Sequence, residues 1–285
     1  GGQPIGCQGR IDFLFVISSW YNMKGHQLQL QEAFTAFTAM LEDEFADFDY
    51  HIMVVDAGTS ALLEPICDDC YMCIGCKEEG CADFGGPPDY PCDEVKLECD
   101  VANGAGVTIT GNFGATNKRC DLFGGHRYIV KGEPNPTDMF KCIATVGEGP
   151  KSPVPMQVMQ AALQPDMLNG GCNDGFVRND ALLAVVILNA DQDNHTPGPP
   201  QKWYDVLVAA KGGNEEAIVT LVLSNDKELP DSVCEYEPIG PNPLRLFAEA
   251  AAHGRFESIC LESYIPALKK TAATIIEQCS LLIPG

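Results

Sequence analysis

The chain has 285 residues, 45% of them hydrophobic, with 40 acidic residues against 18 basic for a formal net charge of −22. Such a charge repels phosphate backbones and anionic membrane surfaces, so nucleic acid is not an expected partner. The hydrophobic share is enough to bury a substantial core, which argues against disorder, and no apolar run approaches the roughly 20 residues that span a bilayer.

Near the amino end, Ile11 to Ile17 (IDFLFVI) is an almost continuous apolar run bounded by Arg10 and Ser18-Ser19. Runs of this kind suit a strand buried on both faces, as at the centre of a parallel sheet. From His26 to Phe45, Leu30, Phe34, Phe37 and Leu41 recur at helical spacing and predict one apolar face. Tyr50 to Val55 (YHIMVV) reads as the next strand. Strand, helix and strand in that order make a βαβ unit with a right-handed crossover.

From residue 57 to 150 the periodicity gives way to Cys, Gly, Pro and Asp, with no amphipathic helix and only short apolar stretches at Val107 to Thr110 and His126 to Val130. This reads as a stapled insertion into a domain made of residues 1–56 and 151–285. The whole chain holds fourteen cysteines: Cys7, Cys67, Cys70, Cys73, Cys76, Cys81, Cys92, Cys99, Cys120, Cys142, Cys172, Cys234, Cys260 and Cys279. An even, dense set belongs to an oxidising compartment and predicts disulfides, hence a secreted, extracellular or cell-surface protein. The start, Gly1-Gly2-Gln3-Pro4, has no signal-peptide features and resembles a mature terminus. The run Cys67-Asp-Asp-Cys70-Tyr-Met-Cys73-Ile-Gly-Cys76 also permits zinc or an iron–sulfur cluster. Its spacing matches neither well: the fourth cysteine comes one residue too early for a bacterial ferredoxin and is followed by Lys77, and zinc knuckles are usually further apart.

Regular patterning resumes with a helix at Val154 to Leu163, a buried strand at Ala181 to Leu188 (ALLAVVIL) and a helix at Pro200 to Lys211. A strand at Ala217 to Leu223, a helix at Pro243 to His253, a short edge strand at Ser258 to Leu261 and a closing helix at Ser263 to Cys279 follow. Alternating strands and helices predict an α/β fold, a doubly wound and mostly parallel sheet flanked by helices.

In sequence order, Ile11-Asp-Phe-Leu-Phe-Val-Ile-Ser-Ser-Trp-Tyr-Asn-Met23, the stretch from Cys172 through Arg178-Asn-Asp180 to Asp191-Gln-Asp193, and Gly254 to Cys260 resemble a von Willebrand factor A-type domain of a divergent secreted bacterial subfamily. That resemblance implies a Rossmann-like sheet, with a metal-ion-dependent adhesion site where the first-strand loop meets a later strand-end aspartate. In such a site hydroxyls and a carboxylate hold calcium or magnesium through oxygen and leave one position for an acidic residue of the partner. Aligned on Met23, the family's Asp falls on Ser18, its first Ser on Trp20 and its second on Asn22, while Asp191, with Asp193 near it, supplies the carboxylate. The site is therefore degenerate, and no bound cofactor is expected. Trp20 and Tyr21 in its place read as contact residues for a protein partner or a second copy of the chain, in a homo-oligomer or surface assembly. The alternative keeps Ser18, Asn22, Asp191 and Asp193 as ligands of calcium or magnesium in a metal-dependent adhesion protein.

Asp68, Asp69, Asp83, Asp89 and Asp93 could chelate calcium but read first as a solvated acidic face, and Asn194-His-Thr196 is a formal glycosylation acceptor. The five histidines sit in no HExxH motif and beside no GxSxG elbow, and no glycine-rich loop follows the first strand to cradle a phosphate. The residues thus point to binding or assembly, not to an enzyme.

Overall fold

The computed structural model describes residues 7, 9–43, 48–58, 94–95, 97–149, 152–235 and 240–281. Cys67, Cys70, Cys73, Cys76, Cys81, Cys92 and the five aspartates of the acidic face lie outside them. In chain order the elements are β1 (Arg10–Ile17), α1 (Lys24–Asp43), β2 (Asp49–Asp56), α2 (Glu98–Val101), β3 (Ile129–Val130), α3 (Pro136–Ala144), α4 (Pro155–Ala162) and α5 (Pro165–Leu168). Then come β4 (Leu182–Asn189), α6 (Pro200–Ala210), β5 (Ile218–Ser224), α7 (Pro243–Ala250), β6 (Gly254–Ser258) and α8 (Ile265–Leu281). Five of the helices open on proline at the first position, where the missing N–H would have no helical partner anyway.

The strands form one six-stranded sheet in the order β3-β2-β1-β4-β5-β6, parallel throughout except for β3, which pairs antiparallel with β2. Every residue of β4 and β5 is buried, as their almost wholly apolar composition requires, with Thr220 inside β5 and Asn189 and Ser224 at the carboxyl ends as the polar exceptions. Alternate residues of β1 feed two separate cores. Phe13, Phe15 and Ile17 pack with Leu30 and Phe34 of α1, Phe140 of α3, and Leu268 and Ile275 of α8. Leu14 and Val16 face Met156 and Met159 of α4, Trp203 and Leu207 of α6, and Phe247 of α7. Helices therefore cover both faces of the sheet.

Three sequence expectations need correction. Residues 57–150 do contain an amphipathic helix: α3 buries Phe140, Ile143 and Ala144, and the Phe140 ring stacks on Phe34 of α1 at 3.4 Å between centroids. The edge strand falls at Gly254–Ser258, ahead of the apolar Ile259-Cys260-Leu261. Gly254 approaches the Ala248 carbonyl so closely that a Cβ would collide with it, so the chain turns into the sheet at the one residue that fits. Finally, α1 begins at Lys24, two residues ahead of the expected start.

Among the described residues four disulfides staple the fold, Cys7–Cys279, Cys99–Cys172, Cys120–Cys142 and Cys234–Cys260. No described helix is long and apolar enough to cross a membrane. The four bridges are compatible with an extracellular protein.

At the amino ends of the central strands, Arg178 takes the place of hydrophobic packing. Its N–H and Nε donate to the fully buried Asp12 carboxylate at 2.7 and 2.8 Å, while Nη1 donates to Asp49 at 2.7 Å and Nη2 to the Ile11 carbonyl at 3.1 Å. Lys211 Nζ donates to the Arg178 carbonyl at 2.6 Å, tying α6 to the same point. Asp180, the other half of the arginine–aspartate pair seen in the sequence, binds Arg10.

Candidate functional site

In an open parallel α/β sheet the carboxyl ends of the strands carry the ligand-facing loops. Here those ends are β1 at Ile17, β2 at Asp56, β4 at Asn189 and β5 at Ser224. Ile17 pairs with Asp56 on one side and Leu188 on the other, and Asn189 pairs with Ser224 in turn. Three loops meet above this edge: 18–23 after β1, 112–115, and 147–149 before α4. The Ser19 carbonyl accepts the Gly149 N–H at 2.6 Å, and Phe113 and Glu148 exchange backbone hydrogen bonds at 3.2 and 2.8 Å. Glu148 Oε1 accepts the Lys24 N–H at 3.1 Å, capping α1 from another loop. Buried Gln27 clasps the assembly, donating to the Ser18 and Gly147 carbonyls, each at 2.9 Å, and accepting the Gly147 N–H at 3.0 Å.

Trp20 and Tyr21 share the tip of the first loop but not its exposure. Trp20 is half-buried against the core under α1, whereas Tyr21 is 67% exposed and rests edge-on against the Trp20 ring, with centroids 4.9 Å apart. Phe113, 45% exposed, sits on the adjoining loop, and the Lys24 side chain passes beside Gly114. The exposed apolar area is thus held from below by a packed indole and by loop-to-loop hydrogen bonds.

The four residues aligned with the metal site fare differently. Ser18 is fully buried and its Oγ accepts the Trp20 N–H at 3.2 Å, while Asn22 is exposed in the turn. Asp191 accepts its neighbour's Gln192 N–H at 2.9 Å through Oδ1. Asp193 is buried and fully engaged: Oδ2 takes the Met156 N–H at 3.0 Å and the Thr196 hydroxyl at 2.6 Å, and Oδ1 takes the Thr196 N–H at 2.9 Å. It serves as the cap of α4 and the brace of its own loop. A hard divalent ion needs oxygens free to replace its water, and these residues offer few. Among the described residues no three His, Cys, Asp or Glu side chains converge on a point. Asn189, beside Ser18, keeps one buried oxygen without a hydrogen bond.

The sequence reading passed over Asp56, although it follows a buried apolar strand just as Asp191 follows another. Its Oδ1 accepts the Gly58 N–H at 2.8 Å, and its Oδ2 is buried with no hydrogen bond. Burial pushes the carboxyl up to about 7; the Gly58 N–H, Ser19 and Asn112 pull against that rise and are all neutral. Asp56 and Gly58 also line a cavity of about 20 Å³ whose other walls include Asp100 and Arg127. That pair is self-contained, since Asp100 accepts from Arg127 at 2.9 Å and from Arg119 at 2.8 Å.

Comparison with protein-family models finds no match, and a search of curated proteins finds no relative.

Proposed function

We propose that the chain is an extracellular, non-enzymatic binding or assembly module: a doubly wound sheet of the von Willebrand A type whose adhesion metal site has degenerated and whose contact surface is the loop face around Tyr21. The observation that carries this reading is Tyr21 itself, 67% exposed at the carboxyl end of the sheet and braced by Trp20. Tyr and Trp are enriched at binding hot spots because they offer large contact area at little entropic cost. The strand order and the single antiparallel edge strand suit such a fold, and Phe113 and Lys24 widen the surface. The partner is a protein, either another species or a second copy of the chain; self-association must offset the repulsion of −22 charges.

Tyr21→Ala is the clean test, because Tyr21 contributes little to the core. Partner capture from surface extracts and self-association by light scattering should both be scored, and the binding step in use should lose about 2 kcal/mol or more, roughly 30-fold, with the melting temperature kept. Trp20→Ala should lose binding and also some stability, since its ring packs inward. Unchanged binding in Tyr21→Ala, whether or not stability drops, defeats the proposal.

A second reading, metal-dependent adhesion, draws on the unpartnered Asn189 oxygen beside Ser18. Under it, chelation abolishes partner capture and Asp191→Ala reproduces the loss; under the first reading neither does.

A further inference from the structure

We propose that the groove between α5 and α6 is a second binding site, and that it takes an arginine of a protein partner together with the apolar residue beside it. The groove encloses about 530 Å³, within the roughly 300–1,000 Å³ of clefts that hold ligands. Val177 and Asn179 of its lining lie just ahead of β4 at the amino ends of the parallel strands, whereas Tyr21 follows β1 at their carboxyl ends. The two surfaces are therefore separate. The floor of the groove is a stretch of core left uncovered. Leu163 is buried, but Leu168, Val177, Val206 and Ala210 are only partly so, packed at the margin of the core that holds Trp203 and Phe247. Such surface gains by removal from water, and a side chain with a long aliphatic stem can cover it.

The polar part of the lining is rich in acceptors. Gln164 donates its amide to the Gln160 carbonyl at 3.0 Å and Asn169 donates its own to the Pro165 carbonyl at 2.7 Å, so both NH2 groups are turned onto the backbone and the oxygens, Oε1 and Oδ1, are left for a visitor. On α6, Asp205 Oδ1 accepts from Gln201 at 3.1 Å, and its Oδ2 accepts nothing among the described residues. No Lys or Arg stands in the lining. Lys211, just past α6, is buried, donates to the Arg178 and Asn179 carbonyls and is balanced by Asp12 and Asp180. Acceptors call for donors, and an unpaired carboxylate calls for a cation. Guanidinium supplies both: its planar fork pairs with a carboxylate through two parallel N–H bonds and keeps donors over for the amide oxygens, while its methylene stem lies on the apolar floor. Lysine brings a point charge without the fork. The chain's net charge of −22 also draws a basic partner in from a distance.

The test titrates the full, oxidised chain with an acetylated, amidated hexapeptide whose central arginine is flanked by leucines, read by NMR amide shifts. The shifts should centre on residues 163–169 and 205–210, with Kd on the order of 10⁻⁴ to 10⁻³ M, the strength of one exposed charge-assisted pair over a small apolar area. Citrulline, which keeps the shape of arginine without its charge, should weaken binding about tenfold or more, and lysine by less. Asp205→Asn should reproduce the citrulline loss with the melting temperature kept, and Ala209→Trp, one turn further along α6, should fill the groove and abolish binding. Tyr21→Ala should leave the titration unchanged, so the two surfaces stand or fall separately. Equal binding by Asp205→Asn or by the citrulline peptide overturns the proposal, as does the absence of binding up to about 10 mM peptide. Butylguanidinium binding as tightly as the peptide overturns it too, since the occupant would then be a small cation and not a protein segment.

Discussion

Arg178→Ala should cost about 3–5 kcal/mol, the loss expected when one partner of a buried ion pair is removed and the other is left in place. Asp12 is completely buried, and its other neighbours are poor substitutes. His51 lies 3.6 Å from Asp12, but burial holds the imidazole down at about 4, so it is neutral at physiological pH. Lys211 spends its ammonium on the Arg178 and Asn179 carbonyls. The pH profile identifies the cause. Burial already pushes Asp12 up to about 6 in the intact protein, against the pull of Arg178, and without that pull it rises further. A carboxyl raised above its unfolded value of roughly 4 binds protons more tightly in the folded state, so its stability contribution is lost as pH rises through the folded value. The gap between Arg178→Ala and the parent in urea unfolding should therefore be smallest near pH 5 and widen as pH rises through about 6 toward 8 and beyond, by at most about 1.4 kcal/mol per pH unit. Arg178→Lys should fall between the two, keeping the charge but not the fork. A loss that ignores pH would assign the damage to the bonds with Asp49 and Ile11 instead.

Replacing Cys7 and Cys279 by serine should be comparably severe. The bridge joins residues 272 apart in sequence, and in the chain-entropy model a loop that long is worth on the order of 5 kcal/mol through restriction of the unfolded state. Both cysteines are buried in the core, Cys279 on α8 itself, and the Cys7 N–H donates to the Cys279 carbonyl at 2.8 Å. Unfolding in denaturant without reductant should show a lower midpoint and, because the unfolded chain is released, a steeper slope. A shift below about 1 kcal/mol would mean that packing and this backbone bond already hold the ends, with residual structure in the unfolded state doing the rest.

The central strands were legible because β1, β4 and β5 are buried on both faces and their sequences carry almost nothing else. Edge elements carry weaker signals. β3 is two residues long and takes its place from pairing with His51 and Ile52, a long-range contact with no local period. The residues of β6, GRFES, are mostly half-exposed, so the apolar Ile259 just past its end drew the expected strand forward. For α3 the signal was present, with Pro136 followed by Phe140, Ile143 and Ala144, but nine residues amid cysteine and glycine give little length over which to see it. At the loop face, the rule that picked out Asp191, an acidic residue ending a buried strand, applies equally to Asp56. Resemblance directed attention to the first, and only the structure shows which carboxylate is partly exposed and which keeps a buried oxygen without a hydrogen bond. Trp20 and Tyr21 are alike on the page; a single turn sends one ring inward and the other to solvent.

The Cys7–Cys279 bridge also determines how the protein bears tension. Stretching the chain from points outside these two residues loads the sulfur–sulfur bond directly, and the sheet lies in a closed loop that carries no force. Shear between β1 and its neighbours, which would otherwise part the strands, cannot develop while that bond is intact. The loop face around Tyr21 is then held in an unstrained shape whatever the pull, and chemical reduction, not load, is what would expose the sheet to mechanical failure.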